Sequence, residues 1–124
     1  MQRLLFICSQ NRFRSPTAEA IFDTVSDVDA ASAGLNHDAV TPVSGDLIEW
    51  ADIIFVMEKT HRNKLQKRFR EVLGGKRVVT LGVPDLYDFM DPALVELLRS
   101  KLRRYVPALA TGEAASSIKA GGAP

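Results

Sequence analysis

The sequence predicts a three-layer α/β domain: a four-stranded parallel sheet of order 2-1-3-4 with helices on both faces. Consecutive apolar residues at Leu4-Leu5-Phe6-Ile7 and Ile53-Ile54-Phe55-Val56-Met57 lack in–out alternation, so both faces of those strands must be covered. These runs alternate with stretches whose apolar residues recur at helical spacing, which is the order of β–α–β units. Turn residues fall between them, as at Gly34, Pro42, Gly74-Gly75 and Gly82.

The elements follow in order. Residues 3–7 form strand 1, which runs into Cys8. After a polar loop, Ser15 is the expected N-cap and Pro16 the first helical residue. Ala18, Ile21, Phe22 and Val25 then give a helix over 16–26. A short second strand is expected over 29–33, closed by Gly34, and a loop over 35–43. Residues 44–50 suit a short helix, and 52–57 form strand 3. Residues 59–73 read as one charged helix with Leu65, Phe69, Val72 and Leu73 inward. Residues 77–81 are strand 4, and 82–90 a loop. Asp91-Pro92 opens a last helix with Leu94, Leu97, Leu98, Leu102 and Tyr105 on one face. One domain therefore spans 1–110. Residues 111–124, rich in Ala, Gly and Ser, read as a disordered tail. Right-handed crossovers make the flavodoxin-like order 2-1-3-4 the simplest for four strands. Ligands of such sheets bind beyond the carboxyl ends of the strands, beside strand 1, where Cys8 falls.

Composition narrows the function. With 124 residues, 46% apolar and 25% charged, the chain suits one soluble domain. A net charge of +1 gives no whole-molecule attraction to nucleic acid or membrane, and neither is an expected partner. The basic run from Lys59 to Arg77 reads as a solvated helix face, since no aromatics interleave it. The apolar start is too short for a signal peptide, and no stretch approaches the roughly 20 apolar residues of a membrane span. A cytoplasmic location is the expectation. The single cysteine excludes an internal disulfide and a Cys-rich metal site. His37 and His61 lack partners at metal spacing and read as surface or loop residues. No metal and no cofactor are expected.

The chemistry concentrates in Cys8-Ser9-Gln10-Asn11-Arg12-Phe13-Arg14-Ser15. A loop between a buried strand and a helix can wrap an anion with successive backbone N–H groups, under the positive end of the helix. A thiolate at Cys8 would be stabilised there and could attack phosphorus. Arg14 offers a planar fork that matches two phosphate oxygens. The Ser15 hydroxyl can donate to the sulfur. The loop has no glycine and no lysine, so it is not a nucleotide-binding P-loop. Such a reaction also needs a carboxylic acid near the leaving group. Glu58 follows strand 3, Asp85 and Asp88 follow strand 4, and Asp91 reads better as a helix cap. Chemistry alone does not separate Asp85 from Asp88.

The segment Phe6 to Glu19 resembles the signature of the low-molecular-weight protein tyrosine phosphatases. Ser32-Ala33-Gly34, Ala51 to Met57, and Val83-Pro84-Asp85-Leu86-Tyr87 resemble other stretches of that family in the same order. The resemblance runs from about residue 3 to 105. It implies the phosphotyrosine protein phosphatase I-like fold and hydrolysis of a phosphomonoester, of the EC 3.1.3.48 type, through a phosphocysteine intermediate. It makes Cys8 the nucleophile, Arg14 the phosphoryl ligand, Ser15 the helper of the thiolate, and Asp85 the acid and then the base. Ser9, Gln10, Asn11, Arg12 and Phe13 would line the phosphate site. Asn11 would hold the loop by bonding to Ser32, and Tyr87 would flank the cleft. The substrate would be a phosphorylated protein or a small phosphomonoester, and inorganic phosphate the product.

The chain departs from that pattern in four ways. The segment between Gly34 and Asp52 is trimmed. Loop positions that are usually apolar are Ser9 and Arg12. The acid loop reads Asp85-Leu86-Tyr87-Asp88 and lacks one aromatic. Phe13 stands where some members have a second cysteine. The rival functions are an arsenate reductase using an external thiol, a phosphocarrier of a sugar-transport system, and a non-catalytic phosphate-binding module.

Overall fold

The computed structural model describes residues 1–107 and 109; the tail expected over 111–124 lies outside them. In chain order the elements are β1 (Gln2–Cys8), α1 (Arg14–Ile21) with a 3-10 turn (Phe22–Thr24), β2 (Val28–Gly34), α2 (Gly45–Trp50), β3 (Ile53–Val56), α3 (Lys59–Arg68), α4 (Arg70–Leu73), β4 (Arg77–Thr80) and α5 (Pro92–Leu102). The sheet order is β2-β1-β3-β4 and every pairing is parallel. The expected architecture is the observed one.

The apolar runs explain the layers. Successive strand residues point to opposite faces. Leu4, Phe6, Ile53 and Phe55 face one core with Ala18, Ile21 and the α5 leucines Leu94, Leu98 and Leu102. Leu5, Ile7, Ile54 and Val56 face the other with Ile48, Leu65 and Leu73. Phe6 stacks between Phe22 and Phe55, with ring centroids 5.7 and 5.3 Å away. Full burial of one such ring contributes about 1.5–3 kcal/mol. These two cores fix the β1 and β3 ends that carry the site. Asp91 caps α5 as expected, its Oδ1 accepting from the Ala93 N–H at 2.9 Å. No described helix is long and apolar enough to cross a membrane.

Strand ends shift by a residue, and two helices differ more from the sequence reading. The charged helix over 59–73 breaks at Phe69 (φ −124°, ψ 30°) into α3 and α4. At the break Arg68 donates to Leu35 O, a tertiary tie that helical periodicity cannot reveal. The helix expected over 16–26 starts two residues earlier, with Phe13 rather than Ser15 at the cap position. Ser15 lies inside the first turn because its hydroxyl is committed to the loop.

Candidate active site

The loop from Cys8 to Arg14 is held by its carbonyls. Cys8 O accepts from Leu35 N–H (2.9 Å), Ser9 O from Asn36 N–H (3.0 Å) and Gln10 O from Val40 N–H (3.1 Å). In a planar trans peptide the next N–H points the opposite way. Drawing these carbonyls toward residues 35–40 therefore turns the N–H groups of Ser9, Gln10 and Asn11 away from that segment, as an anion nest requires. Asn11 makes the turn with φ 58°, a left-handed conformation that asparagine tolerates better than most residues. Gly34 makes the close approach possible. A Cβ there would lie 2.6 Å from Ser9 O, 3.0 Å from Asn11 N and 2.5 Å from Ala39 Cβ. The trimmed segment after Gly34 thus braces the loop.

Inside the loop, Cys8 Sγ is buried and lies 3.0 Å from Ser15 Oγ. Asn11 Nδ2 donates to the same hydroxyl at 2.9 Å. The one hydrogen of Ser15 has two acceptors, Cys8 Sγ and the more distant Ala33 O at 3.4 Å. A thiolate at that position would be the stronger acceptor of the two, because a charged acceptor makes the stronger bond.

Arg14 is buried, and its orientation is fixed from one end. Nη1 donates to Glu58 Oε2 at 2.6 Å and to Val83 O at 2.9 Å. Both Nη1 hydrogens are thereby used, which leaves the Nε and Nη2 edge as the part of the fork that could meet two oxygens of an anion. Glu58, weighed from sequence only as an acid, is thus the clamp of Arg14. Its place after β3, at the carboxyl end of the sheet beside β1, was the available signal.

Asp85 stands across the cleft, with Oδ1 3.8 Å from Arg14 Nε. The loop carrying it is tied at both ends. Val83 N–H bonds to Met57 O at 2.8 Å, and Met90 N–H bonds to Thr17 Oγ1 at 2.9 Å. A cleft of about 150 Å³ is lined by Cys8, Ser9, Gln10, Arg12, Phe13, Arg14 and Asp85. Asp88 is not on this wall; its carbonyl accepts from Asp91 N–H at 3.2 Å. Tyr87 is not on it either. The ring is half-buried against the α1–α5 core, and Leu86 is the exposed neighbour. The apolar body of the tyrosine is better accommodated there than beside the basic mouth.

Two expectations are corrected. Ser32 does not bond Asn11; it donates to Glu19 Oε1 at 2.5 Å. Register explains this: Ser32 pairs with Phe6, one row short of Cys8↔Gly34, and faces α1. His61 is not a surface residue but is 2% exposed. Its Nε2 lies 2.9 Å from Ser9 Oγ, and its Nδ1 accepts from Glu58 N–H at 3.1 Å. Burial first, then the charge of Arg14, pushes its pKa down to about 4. His37 is exposed, as read. Among the described residues no group of three or more His, Cys, Asp or Glu could hold a metal.

No family model and no curated protein matches this chain. Solved structures do. The low-molecular-weight protein tyrosine phosphatase SP-PTP from Streptococcus pyogenes aligns with TM-score 0.69 at 16% identity, over 86% of this chain and 92% of its own. The tyrosine phosphatase Wzb from Escherichia coli K30, solved with phosphate, gives 0.67 at 22% over 84% and 95%. The YwlE arginine phosphatase from Geobacillus stearothermophilus gives 0.59 at 21% over 94% of each. The chain has the fold of the low-molecular-weight protein tyrosine phosphatases.

Proposed function

We propose that the chain is a cysteine-dependent phosphatase that hydrolyses a phosphomonoester through a phosphocysteine. The observation that carries this reading is Cys8 Sγ at 3.0 Å from Ser15 Oγ, at the base of a loop whose Arg14 is pre-oriented by Glu58. The phosphoryl group sits on the loop N–H groups and the Nε–Nη2 edge of Arg14, which Asp85 Oδ1 faces at 3.8 Å. The Cys8 thiolate attacks phosphorus, the S–P bond forms and the ester P–O bond breaks. Asp85 gives its proton to the leaving oxygen. Asp85, now a carboxylate, takes a proton from water as the water attacks phosphorus. The S–P bond breaks, phosphate leaves, and Ser15 donates to the departing thiolate. A reducing cytoplasm that keeps Cys8 a thiol belongs to the same reading.

The fold neighbours include both tyrosine and arginine phosphatases, so the rim must decide the substrate. Exposed Arg12 lines the cleft. Its charge repels the guanidinium portion of a phosphoarginine and favours a phosphomonoester with further negative charge nearby, such as a phosphotyrosine flanked by acidic groups. The test is p-nitrophenyl phosphate hydrolysis by wild type, Cys8→Ser and Asp85→Asn. Wild-type turnover no faster than that of Cys8→Ser would refute the enzyme and leave a phosphate-binding module. An Asp85→Asn rate equal to wild type would remove Asp85 as the acid.

A further inference from the structure

The buried histidine beside the loop has no part in the reaction as written. Its hydrogen bonds define its state. A backbone N–H can only donate, so the contact from Glu58 N–H makes Nδ1 of His61 an acceptor. A neutral imidazole carries one hydrogen, which must then be on Nε2, aimed at Ser9 Oγ 2.9 Å away. Ser9 Oγ is thereby an acceptor toward His61, and its own hydrogen is left to point elsewhere. Ser9 follows the nucleophile directly and lines the cleft. At its other end the ring holds the backbone of Glu58, whose carboxylate orients Arg14. One imidazole therefore ties the second residue of the phosphate loop to the clamp of the phosphate-binding arginine.

We propose that His61 is a positioning residue that fixes the Ser9 hydroxyl as an additional hydrogen-bond donor to the bound phosphoryl group, resting on the phosphatase reading above. The charged groups whose fields act on the ring are Arg14, Glu58, Lys64 and Asp85. A proton added to Nδ1 would set two donors against each other at Glu58 N–H. The neutral ring is thus required by geometry as well as by burial.

Two measurements test this. Imidazole nitrogen shifts of Cys8→Ser protein, with and without inorganic phosphate, should show a neutral Nε2–H ring at pH 7. An Nδ1–H tautomer or a charged ring there would overturn the proposal whether or not the protein is an enzyme. The second is a double-mutant cycle of Ser9→Ala and His61→Phe, read as kcat, KM and inhibition by phosphate. Each single change should lower kcat and weaken phosphate inhibition about tenfold, as loss of a directed hydrogen bond does. The double variant should be no worse than His61→Phe, and His61→Gln, which can still donate, should recover part of kcat. Additive losses in a folded double variant, or an unchanged kcat in His61→Phe, would overturn it. Should no variant turn over, phosphate binding to Cys8→Ser protein with and without His61→Phe decides: equal affinity overturns the proposal.

Discussion

Replacing Gly34 with alanine tests how the phosphate loop is seated. The new Cβ would meet Ala39 Cβ at 2.5 Å, Ser9 O at 2.6 Å and Asn11 N at 3.0 Å. Ordinary carbon contacts lie near 3.5–4.0 Å, so the first two contacts need about 1 Å of relief. Neither neighbour is the end of a flexible side chain. Ala39 is buried, and Ser9 O is already bonded to Asn36 N–H. Overpacking of this kind costs about 1–3 kcal/mol. For a domain of this size, each kcal/mol lowers Tm by roughly 4 °C. The catalytic effect should be larger than the stability effect suggests. A 1 Å displacement of a positioned group costs about a hundredfold in rate, and the displaced atoms belong to the nest. Gly34→Ala should therefore lower kcat/KM for p-nitrophenyl phosphate about a hundredfold while remaining folded by circular dichroism. Gly75→Ala is the control, since nothing lies within 4 Å of its Cβ. A Gly34→Ala protein with wild-type kcat/KM and phosphate inhibition would refute the seating described for residues 8–11.

Glu58→Gln should lower kcat/KM about tenfold, because it turns the ion-paired bond to Arg14 into one with an uncharged acceptor; steady-state kinetics check it. At Asn11, alanine loses both the left-handed conformation and the donor to Ser15, whereas glycine loses only the donor. Asn11→Ala should therefore be the less active by several-fold, and the reverse order would contradict the role given to φ. His61 sets a pH dependence of stability. Its folded pKa is about 4 against an ordinary 6.5, so the unfolded chain binds the proton first as pH falls. The contribution is present above about pH 6.5 and is lost progressively toward pH 4. About 2 kcal/mol should go between pH 7.5 and 5, measured as urea midpoints, and His61→Phe should flatten that slope. Arg12→Leu should erase any preference for polyanionic phosphoesters over phosphotyrosine peptides; equal preference in both proteins would remove the role given to Arg12.

The sheet was legible because its strands are uninterrupted apolar runs, and no other element covers a strand on both faces as cheaply as a helix layer. The clustering of Cys8, Arg14 and Ser15 at one loop was legible because they follow one such run at fixed spacing before a helix. Residues that act across the sheet were harder to see. Ser32 was assigned to Asn11 by resemblance, and only the β1–β2 register places it a row too early. His61 was read as solvated because it stands alone in sequence. Yet it precedes the buried Leu65 by four residues, on the inward stripe of α3. Glu58 was visible as a carboxylate at a strand end, but its claim on Arg14 depends on where the β1 loop lies in space.

The braces on this loop differ in kind, and the difference has consequences for what substitution can separate. Backbone bonds from residues 35–40 set which way the peptide planes face. Side chains from the β3–α3 junction, Glu58 and His61, set which way Arg14 and Ser9 face. A fault in the first group moves the N–H donors that meet phosphate in the ground state and the transition state alike. It should weaken phosphate inhibition and kcat/KM together, mainly through KM. A fault at Glu58 leaves the nest intact and mis-aims Arg14, where charge builds as the phosphoryl group transfers. It should fall mainly on kcat. The polar Ser9 then has a reason to stand where the resembling family is apolar. It gives the buried His61 a partner for its Nε2–H, without which an imidazole so placed would carry an unsatisfied donor.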